Sequence, residues 1–304
     1  MNQPLWGIDL GGTKIEGVIL PATGSAEPIV RTRIDTEAHK GYNHIVDQIG
    51  RLVSIMKEKS GLTPVQLGIG TPGVLDPVLQ TMKNCNSTAL NGMPLLKDLQ
   101  AVLNLSIHLA NDANCFALAE THWGAVRENA AGARVVFGII MGTGVGGGIV
   151  FHEKVWEGKH GIGGEWGHNF LDESGGPCYC GKFGCVETVI SGPATEKYYK
   201  KITGETIRLR EIQERSIKGE KAAVETIDRL CHFFGKAVSV IVNILDPDVL
   251  VIGGGVGNIN ALYTDGLSSL KKYIFNNRVD MPILRPILGD SAGVFGAAAL
   301  TADN

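Results

Sequence analysis

The stretch LWGIDLGGTKIEGVIL, residues 5–20, decides the fold that the sequence predicts. Two short apolar segments, residues 5–10 and 15–20, flank the polar, glycine-rich GGTK, a pattern typical of two strands joined by a tight turn. The pattern returns downstream, where VVFGIIM, GTGVGGG and IVF follow one another in residues 135–151. This weak internal repeat predicts two related lobes, each beginning with a glycine-looped hairpin.

Elsewhere, helix-like and strand-like segments alternate. Residues 42–57 carry apolar side chains at helical spacing, while DVLVIGGG is typical of a buried strand that ends in glycines. Alternation of this kind indicates an α/β architecture. We expect a small N-terminal lobe of residues 1–112, completed by a closing C-terminal helix at 290–304. Residues 113–289 then form a large lobe that carries the cysteine-rich loop.

Composition narrows the class of protein. The 304 residues carry a formal net charge of −3 and no run of Lys or Arg, which disfavours a nucleic-acid partner. The first residues lack the charged start and long apolar stretch of a signal peptide, and there is no apolar run of about 18 residues that would span a membrane. We therefore expect a cytoplasmic protein with no membrane partner.

The 41 glycines cluster in loops. GTGVGGG matches the string of dinucleotide-binding folds, but a strand follows it where that fold requires a helix, which disfavours a dehydrogenase. Backbone N–H groups in two matched loops can instead surround a phosphate, although each loop alone could be only a tight hairpin. A carboxylate before the first loop could hold Mg²⁺ through water. The predicted nucleotide and Mg²⁺ contacts are Asp9, Gly11, Gly12, Thr13, Lys14, Gly142, Thr143, Gly144, Gly146, Gly254 and Gly255.

A histidine and three cysteines have the spacing H-x9-C-x-C-x4-C at His168, Cys178, Cys180 and Cys185. Four N and S ligands match a structural Zn²⁺ site closed by protein. A disulfide is less favoured in the cytoplasm, C-x-C is not the redox motif C-x-x-C, and an iron–sulfur cluster favours a fourth cysteine. The spacing therefore predicts structural zinc.

Six motifs in order, GIDLGGTK, NDANCFALAE, GTGVGGG, GEWGH, CYCGKFGC and VIGGGV, resemble the ROK family (repressors, open reading frames, kinases). The resemblance covers nearly the whole chain and is greatest to bacterial fructokinase and mannokinase members. It implies a two-lobed actin-like, hexokinase-like (ribonuclease H-like) α/β fold with mixed sheets. In that family ATP phosphates lie between the hairpin loops, a sugar occupies the interlobe cleft, and the cysteine motif carries zinc.

The resemblance also assigns roles to single residues. On chemistry alone, Asp112 in HLANDAN suits an ordinary helix N-cap, whereas the family's ND motif makes it the catalytic base. If zinc holds one ring nitrogen of His168, the second N–H can donate to a sugar hydroxyl. The predicted substrate contacts are Gly73, Asn86, Asn91, Asn111, Asp112, Glu165, His168 and Glu187.

These observations predict an ATP- and Mg²⁺-dependent hexose kinase that transfers the γ-phosphate to the 6-hydroxyl. Fructose is the expected sugar, and N-acetylglucosamine, glucose and mannose are alternatives. A transcriptional repressor of the same family is disfavoured, because the first hairpin starts within about six residues of Met1 and leaves no room for a preceding helix-turn-helix. A non-catalytic sugar sensor is disfavoured because Asp112 is present. Family members are commonly dimers, so we expect a homodimer.

Overall fold

The computed structural model describes residues 3–22, 24–276 and 278–302. Its strands are β1 (Leu5–Leu10), β2 (Lys14–Leu20), β3 (Val30–Asp35), β4 (Gln66–Thr71), β5 (Val74–Leu75), β6 (Met82–Lys83), β7 (Ser106–Asn111), β8 (Val135–Met141), β9 (Val145–Phe151), β10 (Lys154–Val155), β11 (Val249–Gly253) and β12 (Ile283–Leu284). Its helices are α1 (Tyr42–Ser60), α2 (Leu95–Leu103), α3 (Asp112–His122), α4 (Ala125–Asn129), α5 (Val186–Ile190), α6 (Gly192–Thr203), α7 (Leu209–Ile217), α8 (Lys221–Leu245), α9 (Asp265–Leu270) and α10 (Ala292–Ala299).

The chain forms two compact units. Unit 1 contains the described residues of 1–134, 148–164 and 286–304, and unit 2 contains residues 135–147 and 165–285. This division differs from the predicted boundary at residue 112, since α3 and α4 belong to unit 1. The reason is that α3 packs closely on α10: a Cβ at Gly296 would overlap the backbone of Cys115.

The sheet of unit 1 has the strand order β3-β2-β1-β4-β7. The hairpin of β1 and β2 is antiparallel, whereas β1, β4 and β7 run parallel. In the register, Asp9 lies opposite Gly70 and Thr71 lies opposite Asn111. The carboxyl ends of the three parallel strands therefore meet at one edge, where ligands of open α/β sheets commonly bind.

Glycines in this sheet allow its helices to pack closely. A Cβ at Gly7 would overlap the backbone of α10 at Ala298, and one at Gly68 would overlap Ala297. On β2, a Cβ at Gly17 would collide with the Met56 sulfur of α1. Helix α1 is buried on that side through an apolar stripe of Ile45, Val46, Ile49, Leu52, Val53 and Met56. The predicted closing helix is observed as α10, and residues 303–304 lie outside the described ranges.

The second sheet has the order β10-β9-β8-β11-β12. Strand β11 runs parallel to both β8 and β12, with Gly253 opposite Ile140. The glycine loop 142–144 joins β8 to β9, as the internal repeat predicts. No helix in the described ranges is both long and apolar enough to cross a membrane.

Candidate active site

Two carboxylates of unit 1 lie at the carboxyl edge of its sheet. Asp9 is near the end of β1, and Asp112 follows β7 directly. Burial, and then the negative charges of Asp112 and Glu16, raise the pKa of Asp9 to about 6, while Arg33 acts in the opposite direction. A proton or a nearby cation neutralises the unfavourable negative charge of a carboxylate in such an environment.

Asp112 is the first residue of α3, but Asn111 caps the helix. The Asn114 backbone N–H donates to Asn111 Oδ1 at 2.7 Å, whereas Asp112 Oδ1 accepts from the adjacent Ala113 N–H at 2.8 Å. The Asp112 side chain is accessible to solvent, yet the protein around it reduces its hydration and raises the pKa of its carboxyl. Asn111 therefore takes the capping role that the sequence left open for Asp112.

Hydrogen bonds within the GGTK loop and from Thr36, just after β3, fix the conformation of its backbone. Gly11 N–H donates to Lys14 O at 3.0 Å within the loop. Thr36, which the sequence did not single out, donates its backbone N–H to Thr13 O at 2.8 Å and its hydroxyl to Gly11 O at 2.7 Å. Gly12, Thr13 and Lys14 remain exposed to solvent.

Glu187 braces the second glycine loop within unit 2. Its Oε2 accepts the Val145 N–H at 2.9 Å, and a Cβ at Gly144 would lie only 2.5 Å from the same oxygen. Inside the loop, Gly142 N–H donates to Gly144 O at 2.9 Å. Glu187, which was predicted to contact sugar, and the predicted phosphate loop therefore belong to one hydrogen-bonded arrangement.

Three backbone segments meet beside this loop. Gly192 N–H, at the start of α6, donates to Gly142 O at 2.9 Å. Ser191 caps α6 by accepting the Ala194 N–H at 3.3 Å. Gly254 has φ +81 and lies so close to the Met141 carbonyl that a Cβ would overlap it. Gly142 and Gly254 were predicted from the sequence, but Ser191 and Gly192 were not. The string SGP, a capping serine followed by glycine and proline, is the sequence pattern that indicates a helix start there.

In unit 1, Asn91 and Gly73 both fix the segment that carries Asn86. Asn91 Oδ1 accepts the Cys85 N–H at 2.8 Å and its amide donates to Cys85 O at 3.1 Å. A Cβ at Gly73 would overlap the Cys85 sulfur, and Asn86 N–H donates to Pro72 O at 3.2 Å. Asn86 is left exposed. Asn91 thus braces backbone, and its direct contact with sugar stays a prediction.

The four zinc candidates converge as the spacing predicts. Their ligand atoms lie within 4.8 Å of one another, with His168 Nδ1 at 3.6 Å from Cys178 Sγ and Cys180 Sγ at 3.7 Å from Cys185 Sγ. Zn–S bonds of about 2.3 Å and Zn–N bonds of about 2.0–2.1 Å at tetrahedral angles imply S···S of about 3.8 Å and S···N of about 3.6 Å. All six cysteines of the chain are free thiols. The donor set therefore fits Zn²⁺.

The other ring nitrogen of His168 is already engaged. Its Nε2 lies 3.0 Å from the Tyr179 hydroxyl, and the two rings meet edge to face at 5.2 Å. Burial, followed by the charge of Glu187 and, among smaller causes, that of Glu165, raises the pKa of Tyr179 to about 12. The predicted donation from this nitrogen to a sugar hydroxyl thus has a competitor that the sequence did not reveal.

Unit 1 also contains a cavity of about 670 Å³ beside the edge strand β7. Its lining includes Thr71, Asn111 and Glu157, and burial raises the pKa of the Glu157 carboxyl. Asn114 lines it too, and its buried Oδ1 has no hydrogen-bond partner among the described residues. The cavity is polar and was not predicted from the sequence.

The fold and these loops define a class of protein. A ROK hexokinase from Thermus thermophilus superposes with a TM-score of 0.86 at 28% identity, covering 98% of this chain and 97% of that one. A ROK glucokinase from Streptomyces griseus, solved with glucose and AMPPNP, gives 0.75 at 28% identity, with 98% of each chain covered. The chain therefore has the α/β hexokinase-like fold of sugar kinases, as predicted.

The chain belongs to the ROK family, whose pattern it matches over residues 5–304. An N-acetyl-D-glucosamine kinase from Vibrio atlanticus is 33% identical over 305 residues, covering 97% of this chain and 98% of that protein. The family assignment made from the motifs is confirmed. The narrower likeness to fructokinases and mannokinases is not, since the curated relatives are N-acetylglucosamine kinases.

Proposed function

We propose that this protein transfers the γ-phosphate of ATP to the 6-hydroxyl of a hexose. The observation that carries the proposal is the Asp112 carboxylate: it is accessible, has a raised pKa, and follows a helix cap supplied by Asn111. A raised pKa makes a carboxylate a better proton acceptor. Since Asn111 caps the helix, the position of Asp112 needs another explanation, and proton transfer supplies one.

In the proposed reaction, Asp112 orients the sugar hydroxyl and accepts its proton as the oxygen bonds to the γ-phosphorus. The bond between that phosphorus and the β,γ-bridging oxygen breaks, and ADP leaves. Phosphoryl transfer requires little else from the protein than positioning and charge stabilisation. Within each unit, the glycine loop is the segment suited to bind phosphate, because backbone N–H groups in glycine-rich turns attract anions. In unit 2 the N-terminus of α6 adds to this attraction.

Mg²⁺ fits beside Asp9. The pKa of Asp9 is raised by burial and by neighbouring negative charge, so a cation there offsets an existing repulsion. Mg²⁺ commonly binds through one or two carboxylates, waters and phosphate oxygens. Bound Mg²⁺ supplies charge neutralisation at the phosphates, and Asp9 would hold it through water.

Zinc, in this proposal, is structural and is held by His168, Cys178, Cys180 and Cys185. Four protein ligands leave no open position, so the ion takes no part in phosphoryl transfer. A bound Zn²⁺ would fix the loop that carries Glu165 and His168, and with Nδ1 as its ligand the proton of His168 would stay on Nε2.

We propose N-acetylglucosamine as the first substrate to test, in place of fructose. The support is the set of curated relatives, which are N-acetylglucosamine kinases at 32–34% identity across nearly the full length. Glucose stays a candidate because a structural neighbour at 28% identity was solved with glucose. Whether the chain forms the expected homodimer, and its cytoplasmic location, remain predictions.

The decisive assay measures ADP release with N-acetylglucosamine, glucose, mannose and fructose at fixed ATP and Mg²⁺. We expect N-acetylglucosamine to give the highest kcat/KM. A preference for fructose would restore the original substrate prediction. No turnover with any of these sugars would contradict the kinase proposal and favour a sugar-binding regulator.

The base is tested by Asp112→Asn. This variant keeps the size and helix position but removes the proton acceptor, so we expect kcat to fall by at least about 10³-fold with an unchanged melting temperature. Asp47→Asn, an exposed site on α1, serves as the control. Full activity in Asp112→Asn would rule out the assignment.

A further inference from the structure

Tyr179 lies between two of the zinc ligands, Cys178 and Cys180, yet its own side chain is 76% exposed. Its main contact is with the third ligand: the hydroxyl is 3.0 Å from His168 Nε2, and the His168 ring meets the Tyr179 ring edge to face at an interplanar angle of 87°. Tyr179 is not itself a zinc ligand, because its oxygen faces the nitrogen that points away from the cysteines. Its position therefore needs a separate explanation.

The hydrogen-bonding capacity of His168 is limited. A neutral imidazole has one N–H, and His168 Nδ1 is the nitrogen that lies 3.6 Å from Cys178 Sγ within the cysteine cluster. A metal on Nδ1 leaves the proton on Nε2. That single N–H cannot donate fully to both the Tyr179 hydroxyl and a sugar hydroxyl.

We propose that the Tyr179 hydroxyl occupies the place of a sugar hydroxyl on His168 while no sugar is bound, and that it thereby lowers the affinity for the hexose. This inference rests on the proposed function, in which His168 contacts the hexose. The sugar displaces the Tyr179 hydroxyl and takes over the Nε2 hydrogen bond. Glu165 and Glu187, whose charges act on the Tyr179 hydroxyl, belong to the same predicted set of sugar contacts.

The exchange requires only a side-chain rotation. The backbone around Tyr179 is held by Cys178 N–H, which donates to Lys182 O at 2.9 Å, and by Gly181 N–H, which donates to Cys178 O at 3.0 Å. The exposed phenol ring has few contacts to lose apart from His168. Exposed side chains change rotamer in picoseconds to nanoseconds, so the exchange does not limit turnover.

The exchange lowers affinity. A sugar with a hydroxyl at the matching position exchanges one hydrogen bond for another, so it binds about tenfold more weakly than it would to a free Nε2–H. Every sugar that displaces Tyr179 loses the same hydrogen bond, so this cost is common to all of them.

The test is Tyr179→Phe, with sugar binding measured by calorimetry on the zinc-loaded protein. Without the competing hydroxyl, the Kd for the substrate hexose should fall by about two- to tenfold. We expect kcat to change less than about twofold and zinc content to stay the same. Phe183→Leu, an exposed aromatic of the same loop at 54% exposure, is the matched control and should leave the Kd unchanged.

A series of 1-, 2-, 3- and 4-deoxyglucose identifies the hydroxyl that makes the exchange. The deoxy sugar that lacks it should lose at least as much affinity in Tyr179→Phe as in the wild type, because the wild-type Tyr179 can keep its hydrogen bond to His168. An unchanged or higher Kd in Tyr179→Phe for the substrate hexose would overturn the proposal, because the hydroxyl would then be neutral or would help to bind sugar.

A second measurement does not depend on kinase activity. In ¹⁵N-histidine-labelled, zinc-loaded protein without sugar, the His168 Nε2–H proton should exchange slowly with water, and faster in Tyr179→Phe. Equal exchange in the two proteins would overturn the His168–Tyr179 pairing. If the pairing is present but the wild type neither binds nor phosphorylates a hexose, the proposed function fails instead.

Discussion

At the scale of single residues, Asp9, Asp112 and Glu157 of unit 1 are in environments that disfavour their negative charge. The pKa of Asp9 rises from 3.8 to about 6, chiefly through burial and then through the charge of Asp112. A rise of this size corresponds to about 3 kcal/mol of free energy that the ionised Asp9 takes from the folded state. The ionised Asp9 therefore destabilises the folded protein, and a cation bound beside it would restore the lost stability.

Asp9→Asn should therefore stabilise the metal-free protein while abolishing Mg²⁺-dependent activity. The folded pKa lies above the unfolded value, so the cost of ionised Asp9 is complete above about pH 6 and disappears below about pH 4. We expect the variant to gain up to about 3 kcal/mol in unfolding free energy at pH 8, and nothing near pH 4. Urea unfolding at both values measures this, with Asp47→Asn as control. Equal stabilisation at both values would contradict the explanation.

At the scale of elements, the short helix α5 and the β8–β9 loop are coupled through one carboxylate. Glu187 in the first turn of α5 accepts the Val145 N–H, and Gly144 must lack a side chain for that contact to form. The glycine is therefore required by close approach to Glu187 and not only by the turn. Sequence reasoning identified both residues but gave them separate roles.

Gly144→Ala and Glu187→Ala should consequently have overlapping effects. Each removes the same charge-assisted hydrogen bond, so we expect each to raise the KM for sugar by at least about tenfold, and the double variant to be no worse than the poorer single one. Steady-state kinetics of the wild type, the two single variants and the double variant completes this double-mutant cycle. Gly50→Ala, on α1, where a Cβ would meet only Val102 Cγ1 at an ordinary contact distance of 3.9 Å, controls for the glycine replacement. Fully additive effects would show that the loop and Glu187 act independently.

At the scale of the whole molecule, two compact units have separate means of holding their loops. Unit 1 has a five-stranded sheet covered by long-range helix packing, with α10 returning from the end of the chain. In unit 2, the stretch from Trp166 to Cys185 is mostly short turns, tied by isolated bridges such as Phe170 with Cys185. A loop with so little regular structure would be stabilised by a metal ion bound to the cysteine cluster.

Cys180→Ala should accordingly lose zinc and weaken sugar binding without unfolding unit 1. We expect zinc content to fall below about one tenth of the wild-type value and the KM for sugar to rise by about ten- to a hundredfold. Atomic absorption, kinetics and circular dichroism make the comparison, with Cys231→Ala as a cysteine control outside the cluster. Zinc loss with an unchanged KM would show that the metal does not support the sugar site.

Much of this protein could be predicted from local sequence. The GGTK and GTGVGGG hairpins, helix α1, the closing helix and the convergence of four zinc candidates all follow from periodicity, turn residues and ligand spacing. The family follows from ordered motifs. These features depend on residues close together in the chain, where the physical rules act within one or two turns or strands.

Other features depend on contacts between distant residues, which no local pattern encodes. The sequence by itself determined the α/β class, the two glycine-looped hairpins, the four residues that converge as zinc candidates and the ROK family. Only the tertiary structure decided that α3 belongs with α10, that Asn111 and not Asp112 caps the helix, and that Glu187 braces the glycine loop. It also decided that Tyr179 engages the histidine of the cysteine cluster. The physical reason is that pKa values, close backbone approach and hydrogen-bond partners depend on neighbours in space.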